Sequence, residues 1–233
     1  MKMFEKNNAF LTLEERNNIQ RTHVLIVGAG ALGQMTAHTL VRSGFVRLTV
    51  ADGDCFTADN ENRQLYALPE NRGRKKVEVL HAELKKINKE AEVRAWELFV
   101  DETNGRQLAV SADILVDCVD NIRTKKYLEA LADSLGLCLV HGAVEGWYGQ
   151  VSTVCPGDGT MAFLYPEDRV QQVSALMATV NVVASLQAAE VMKLATGSEE
   201  ILRRKVMYVD MRSGDFSCVC LPEKIKKADK RSI

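Results

Sequence analysis

Residues 23–33 read HVLIVGAGALG, an apolar β-branched run that ends at Gly28 and passes straight into a glycine turn. Gly28, Gly30 and Gly33 satisfy G-x-G-x-x-G, with Ala31 directly after the second glycine. Residues 31–42 continue with Leu32, Met35, Thr36 and Leu40 at helical spacing. Strand, tight turn and helix in this order bring backbone close to a phosphate or ribose and aim the orphan N–H groups of the helix start at it. A second apolar strand is predicted over 46–51, and its end places Asp52 about 20 residues past the turn, where an acid takes ribose hydroxyls. A glycine turn that merely joins two elements is the competing reading, and the second strand and the acid weigh against it. The expectation is a mononucleotide-binding unit.

From Asp52 the chain runs DGDCFTADNENRQLYALPENRGRKK to Lys76. Acids stand at its head, Asn60, Arg63 and Gln64 in a polar turn, and Arg72, Arg74, Lys75 and Lys76 before a helix predicted over 77–87. A carboxylate at one end and cations at the other suit a molecule with ribose at one end and phosphates at the other. Asp54 reads equally well as a turn-orienting residue or a nucleotide contact. Arg72, Arg74 and Lys75 read as a solvated basic face.

Further on, a strand is expected over 92–98 and a short helix over 101–110. The apolar run DILVDC at 113–118 then leads into Val119, Asp120 and Asn121. Such a run is typical of a strand buried in a parallel sheet, and ligands of open parallel sheets bind beyond the carboxyl ends of the strands. Asp52 and Asp120 should therefore face one crevice. A helix over 121–135 and a fifth strand over 137–141 follow. Residues 145–155 and 206–220 alternate in the manner of antiparallel strands, the second pair turning at Ser213 and Gly214. Between them lie a Pro- and Gly-rich loop over 156–170 and an apolar helix over 174–196 closed by Gly197. The predicted fold is α/β, a Rossmann-like doubly wound mixed sheet with a parallel N-terminal part and antiparallel C-terminal strands. Residues 1–22 form an N-terminal helical segment with Thr12 as N-cap, 23–221 a single domain, and 222–233 a basic, solvated and mobile tail. A hydrophobic content of 46% in 233 residues is ample for one core.

A formal net charge of -1 argues against bulk nucleic-acid binding. No apolar run approaches the roughly 20 residues that span a bilayer, and residues 1–22 are too polar and acidic for a secretory signal, so a cytoplasmic protein is expected. Six cysteines lie at 55, 118, 138, 155, 218 and 220, and Cys118, Cys138 and Cys155, in or beside apolar strand-like runs, read as small buried hydrophobes in a reducing compartment. Cys218 and Cys220 form the one close pair, and without a second pair no zinc site is expected. His141 reads as a satisfied core histidine, and Trp147, Tyr148 and Gln150 as lining of a substrate-tail channel or as edge-strand packing. An NAD-dependent oxidoreductase would share the turn and the acid. It also needs a nicotinamide half-site, for which the roughly 100 residues beyond Asp120 leave little room. An ATP site needs cations for the triphosphate and an acid for magnesium, and Arg63, Lys76 and Asp120 supply them.

Taken in order, GAGALG, the acids Asp52 and Asp54, N-x-N-R-Q at 60–64, GRKKVE around Lys76, DCVDN at 117–121, GAVEGWYGQV at 142–151 and ASLQAAEVMKLATG at 184–197 resemble the ThiF/MoeB/HesA adenylyltransferases. These are bacterial relatives of ubiquitin-activating enzymes, and the match runs from His23 to Val219. The resemblance implies that the C-terminal carboxylate of a small, Gly-Gly-ended, ubiquitin-like sulfur carrier attacks the α-phosphorus of ATP, giving an acyl-adenylate and pyrophosphate. It implies a homodimer, with ATP and magnesium bound. Asp52 would take the ribose hydroxyls, Asn60 and Arg63 the phosphates, Lys76 the charge near the α-phosphate, and Asp120 the magnesium. Gly28, Gly30, Ala31, Gly33, Asp54, Gln64 and Asn121 complete the expected nucleotide site. No general base is required, since the attacking carboxylate is ionised at neutral pH.

Several departures from the family pattern stand out. Ala31 replaces a frequent glycine. MAFLYPE at 161–167 stands where relatives carry a first cysteine pair, and EDRVQQVSAL at 167–176 has no cysteine, which points to adenylation without a thioester or persulfide step. Arg16 and Arg21 are candidates for an arginine supplied to a partner subunit. Alternative readings are a tRNA-modifying, ATP-dependent dehydratase of the same superfamily and a non-catalytic nucleotide-binding scaffold.

Overall fold

The computed structural model describes residues 4–166 and 174–222. The chain opens with α1 (Glu5–Asn8) and α2 (Leu13–Arg21), then β1 (His23–Val27), α3 (Ala31–Ser43) and β2 (Arg47–Ala51). It continues through α4 (Lys76–Ile87), β3 (Glu92–Trp96), α5 (Gly105–Ala109), β4 (Ile114–Asp117) and α6 (Ile122–Leu135). The last part holds β5 (Cys138–Glu145), β6 (Tyr148–Val154), α7 (Thr160–Leu164), α8 (Met177–Thr196), β7 (Lys205–Asp210) and β8 (Asp215–Cys220).

One eight-stranded sheet orders them β3-β2-β1-β4-β5-β6-β7-β8. Pairing is parallel from β3 through β5 and antiparallel from β5 onward. This is the expected mixed sheet. All five residues of β1 are buried, because helices cover both faces of the parallel part. On one face α3, α4 and α8 contribute Leu40, Leu80 and Val183 to a cluster with Ile26 and Val50. On the other, α5, α6 and α7 contribute Leu108, Leu128 and Met161 to a cluster with Leu25 and Leu115. The strand order reverses between β1 and β4, and beyond their carboxyl ends the crevice opens.

Local expectations hold with instructive exceptions. Thr12 caps α2, its hydroxyl accepting from Glu15 N while Glu15 accepts from Thr12 N. Gly197 closes α8 in the left-handed conformation, φ 73°. The α8 helix begins at Met177 and not at 174, because Ala175 bridges to Gly146 and Gly146 N donates to Ser174 O, holding these residues extended. The expected helix over 101–110 contracts to α5, since Asp101 accepts from both the N–H and the hydroxyl of Thr103 and forms a turn there. Within the expected loop after residue 156 lies α7, whose first turn donates from Met161 N to the Glu129 carboxylate. The expected fifth strand runs on to Glu145 and returns as β6 through Gly146. Cys118 and Cys155 are buried, whereas Cys218 and Cys220 lie on β8, all of whose residues are exposed among the described residues. Most of the expected basic tail over 222–233, and residues 167–173 of the segment without cysteine, lie outside the described residues.

Candidate functional site

The glycine turn is shaped by steric necessity at two of its three glycines. Gly28 has φ +97°, and a Cβ there would meet Cys118 O at 2.6 Å. At Gly33 a Cβ would lie 1.8 Å from Gly28 O, so this glycine lets α3 pack on the turn. Gly30 is different: a Cβ would find only Gln64 Nε2, at 3.9 Å. The space over Gly30 opens into a cleft, and Gly30 is also the N-cap of α3. Helix N–H groups without intrahelical partners therefore face that space.

Asp52 ends β2 beside the turn. Its Oδ2 accepts from Ala29 N at 2.6 Å and its Oδ1 from Asp54 N at 2.7 Å, so backbone fixes the carboxylate while leaving acceptor capacity on both oxygens. On the same cleft lie Gly28, Ala31, Asp54, Arg63, Gln64, Lys76, Asp120 and Asn121. The cleft encloses about 1120 Å³ of space, its open mouth included. Leu98, Phe99 and Val100 form an apolar wall after β3.

Lys76 begins α4. It is 6% exposed, and its Nζ donates to Asp54 Oδ2 at 3.0 Å. Arg63 Nη1 donates to Asp59 O and Asn62 Oδ1. Two expected residues stand apart from the lining. Gly33 is internal packing, as above. Asn60 is buried and shapes its own turn, accepting from Thr57 N and donating to Asp59. Arg72 pairs with Glu61 on the surface, and Arg74 donates to Asn71, so neither lines the cleft. Gln34, which the sequence reading passed over, joins the two walls: its Nε2 donates to Ala29 O and Gln64 Oε1, and its Oε1 accepts from Tyr66 N.

Across the cleft, the turn after β4 is held by a buried ionic group. Asp117 and Lys125 are 0% and 2% exposed, with Lys125 Nζ 3.2 and 3.1 Å from the two carboxylate oxygens and 3.1 Å from Gly142 O. His141 Nδ1 lies 2.7 Å from Asp117 Oδ2, and Val119 N donates to Asp117 Oδ1. Burial pushes the Asp117 carboxyl up, but Lys125 and His141 outweigh it and hold the acid below its ordinary range. Burial dominates for His141 and keeps its imidazole neutral, with Nε2 facing Tyr165 Oη and Gln150 Nε2 at 3.2 Å each. Gln150 thus contacts this core group and does not line the cleft. Asn121 caps α6 by accepting from Thr124 N. Asp120, between these anchored residues, is exposed and carries no hydrogen bond or ion pair to a described residue.

A lone, solvent-facing carboxylate fits magnesium, which keeps several waters and is bound through one or two carboxylates plus substrate phosphates. Among the described residues no cluster of three metal-binding side chains exists. Lys125, Asp117 and Thr124 were missed by sequence reasoning. One signal was available: Lys125 falls on the apolar stripe of α6 with Ile122 and Leu128, where a cation needs a buried partner.

A Rossmann-like mixed sheet with a glycine turn at its switch point, and a cleft there lined by Asp52, Arg63, Lys76 and Asp120, is the architecture of nucleotide-binding α/β proteins. The chain belongs to the ThiF family, whose sequence model matches residues 4–230. It is 29% identical over 213 residues to the SAMP-activating enzyme E1 of Haloferax volcanii, covering 88% of this chain and 79% of the relative. It is 27% identical over 196 residues to the sulfur carrier protein ThiS adenylyltransferase of Escherichia coli K12, covering 81% and 78%. Other curated relatives are longer, and the chain spans about half their length. In fold it is similar to the crystal structure of Escherichia coli MccB with ATP, with a TM-score of 0.80 at 19% identity, over 92% of this chain and 68% of that one. No helix among the described residues is long and apolar enough to cross a membrane.

Proposed function

We propose that this protein is an ATP-dependent adenylyltransferase that activates the C-terminal Gly-Gly carboxylate of a small ubiquitin-like sulfur carrier. The observation that carries the proposal is the convergence on one cleft of Gly30, Asp52, Arg63, Lys76 and Asp120. The adenosine would lie against the 98–100 wall, with its ribose hydroxyls on Asp52 and its phosphates between the α3 start and the two cations. Lys76 would leave Asp54 for the α-phosphate region, where negative charge accumulates as the carboxylate oxygen adds to phosphorus and pyrophosphate departs. Both the attacking group and ATP are anions, so charge neutralisation and alignment are the main tasks, and no proton needs to move. Asp120 would hold magnesium, which supplies further neutralisation of the phosphates when bound.

The relatives' names support the carrier class, since one acts on ThiS and another is a SAMP-activating enzyme. Thiamine and molybdenum-cofactor synthesis are the sulfur-transfer settings proposed, in the cytoplasm, by a homodimer. The segment 1–22 would pack as an accessory to the 23–221 domain. The deciding assay is exchange of radiolabelled pyrophosphate into ATP, dependent on a Gly-Gly-ended carrier from the same cell. Lys76→Ala and Asp120→Ala should each lower it by about 100-fold or more with the fold retained. Exchange at near wild-type rates in both variants would remove the assigned roles, and exchange with no carrier present would remove the carrier.

A further inference from the structure

The other end of the sheet carries a feature that the cleft does not use. Cys138 is the first residue of β5, and Cys155 follows directly on β6. The register Leu139↔Val154 places them opposite one another across the antiparallel ladder. Directly opposed residues have Cα atoms about 4.5–5.5 Å apart, inside the 4.4–6.8 Å range that a disulfide spans without backbone movement. Their sulfurs lie 2.8 Å apart, with both thiols free. The pair thus has one residue partly open to solvent, Cys138, and one buried, Cys155.

Exposure favours Cys138 as the nucleophile. The Arg203 guanidinium favours the charged form of either thiol of the pair. Arg203 is itself held by the Asp158 carboxylate, with its Nη2 3.3 Å from Asp158 Oδ1, and Asp158 also accepts from Cys155 N. A partly exposed thiol in contact with a buried second thiol is the arrangement of a reactive and a resolving cysteine.

We infer that Cys138 and Cys155 form a reversible dithiol–disulfide site that takes small disulfides of the glutathione class. The Cys138 thiolate attacks one sulfur of the small disulfide, giving a mixed disulfide and releasing one thiolate. Cys155 then attacks the Cys138 sulfur, its proton leaving with the second small thiolate. Two electrons pass from the protein pair to the small disulfide, which is reduced to two thiols. The closed bond ties the base of the β5–β6 hairpin, at the opposite end of β5 from the cleft.

The test equilibrates the full-length protein with graded ratios of reduced to oxidised glutathione, quenches with an alkylating agent and maps peptides by mass spectrometry. Thermal melting is followed in parallel. The exposed Cys218 and Cys220 serve as internal controls for reagent access. A peptide linking Cys138 to Cys155 should appear with a defined midpoint ratio, and the oxidised form should melt several degrees higher. Both effects should vanish in Cys138→Ser and in Cys155→Ser. In Cys155→Ser the glutathione should persist on Cys138. The inference is overturned if no linked peptide forms at ratios that modify Cys218 or Cys220, or if glutathione stays on Cys138 of the unaltered protein without resolving.

Discussion

Alanine at Gly30 and alanine at Gly33 are the same chemical change three residues apart, and the structure requires opposite outcomes. At Gly33 the new methyl would lie 1.8 Å from the Gly28 carbonyl oxygen, so backbone must retreat by more than an ångström. Overpacking of this kind costs about 3 kcal/mol at the upper end of its usual range, and the better helix propensity of alanine returns about 1. The net of roughly 2 kcal/mol lowers Tm by about 4–8 °C in a chain of this size. At Gly30 the nearest atom is 3.9 Å away, so only the loss of a good N-cap residue remains, about 0.5–1 kcal/mol. The methyl would instead occupy space over the helix start that a phosphate needs. ATP at 100 times its Kd stabilises a folded protein by about 2.7 kcal/mol, which corresponds to an upward Tm shift of roughly 5–10 °C. Melting curves with and without saturating Mg-ATP separate the two. Gly33→Ala should melt low, and Gly30→Ala should melt near wild type but lose most of the ATP shift. A Gly30→Ala protein that keeps the full shift, or a Gly33→Ala protein as stable as wild type, would refute the division of roles.

Lys125→Met should destabilise the protein by about 3–5 kcal/mol in urea melts, because it strands the buried Asp117 charge, and Asp117→Asn added to it should recover part of the loss. Wild-type levels for Lys125→Met would show that the pair contributes nothing. Burial lowers the His141 imidazole below its ordinary range, so the unfolded chain takes up a proton more readily than the folded one, and stability should fall as pH drops below 6.5. His141→Asn should flatten that slope in urea titrations at each pH, and an unchanged slope would contradict it. The depressed Asp117 carboxyl acts at lower pH: its contribution is complete above about 3.9 and drains away as pH falls through its folded value. An Asp117→Asn protein should therefore lose less stability than wild type on going from pH 4 to pH 2. Asp54→Ala should leave Lys76 without its ion-pair partner and change ATP affinity less than tenfold, read by calorimetry, if Lys76 turns to phosphate when nucleotide binds.

Much of this was legible in the sequence because the signals were local. The glycine turn, the acid ending β2 and the capping residues Thr12 and Gly197 each act within a few residues of themselves. Lys76 was legible from its place in a motif, and the structure brings it to the cleft with Arg63 and Asp120. Asn60 was read as a phosphate ligand on the same basis, and its side chain here closes the turn that carries Arg63. Motif membership does not distinguish a residue that touches a ligand from one that shapes the loop. The Asp117–Lys125–His141 group was not legible because its members come from a strand, a helix and the next strand, and only packing brings them together. The pairing of Cys138 with Cys155 needed the hairpin register, which one residue of slip would have destroyed.

Gln34 contributes no atom to the chemistry proposed here, yet few positions leave substitution less freedom. Leucine would fill the space but abandon the Ala29 carbonyl, the Gln64 carbonyl and the Tyr66 N–H, three polar groups at buried or half-buried positions. Glutamate would keep the shape but turn an acceptor toward two acceptors. Selection acting on the nucleotide cleft would therefore fall on a wholly buried amide as heavily as on the residues exposed to the ligand.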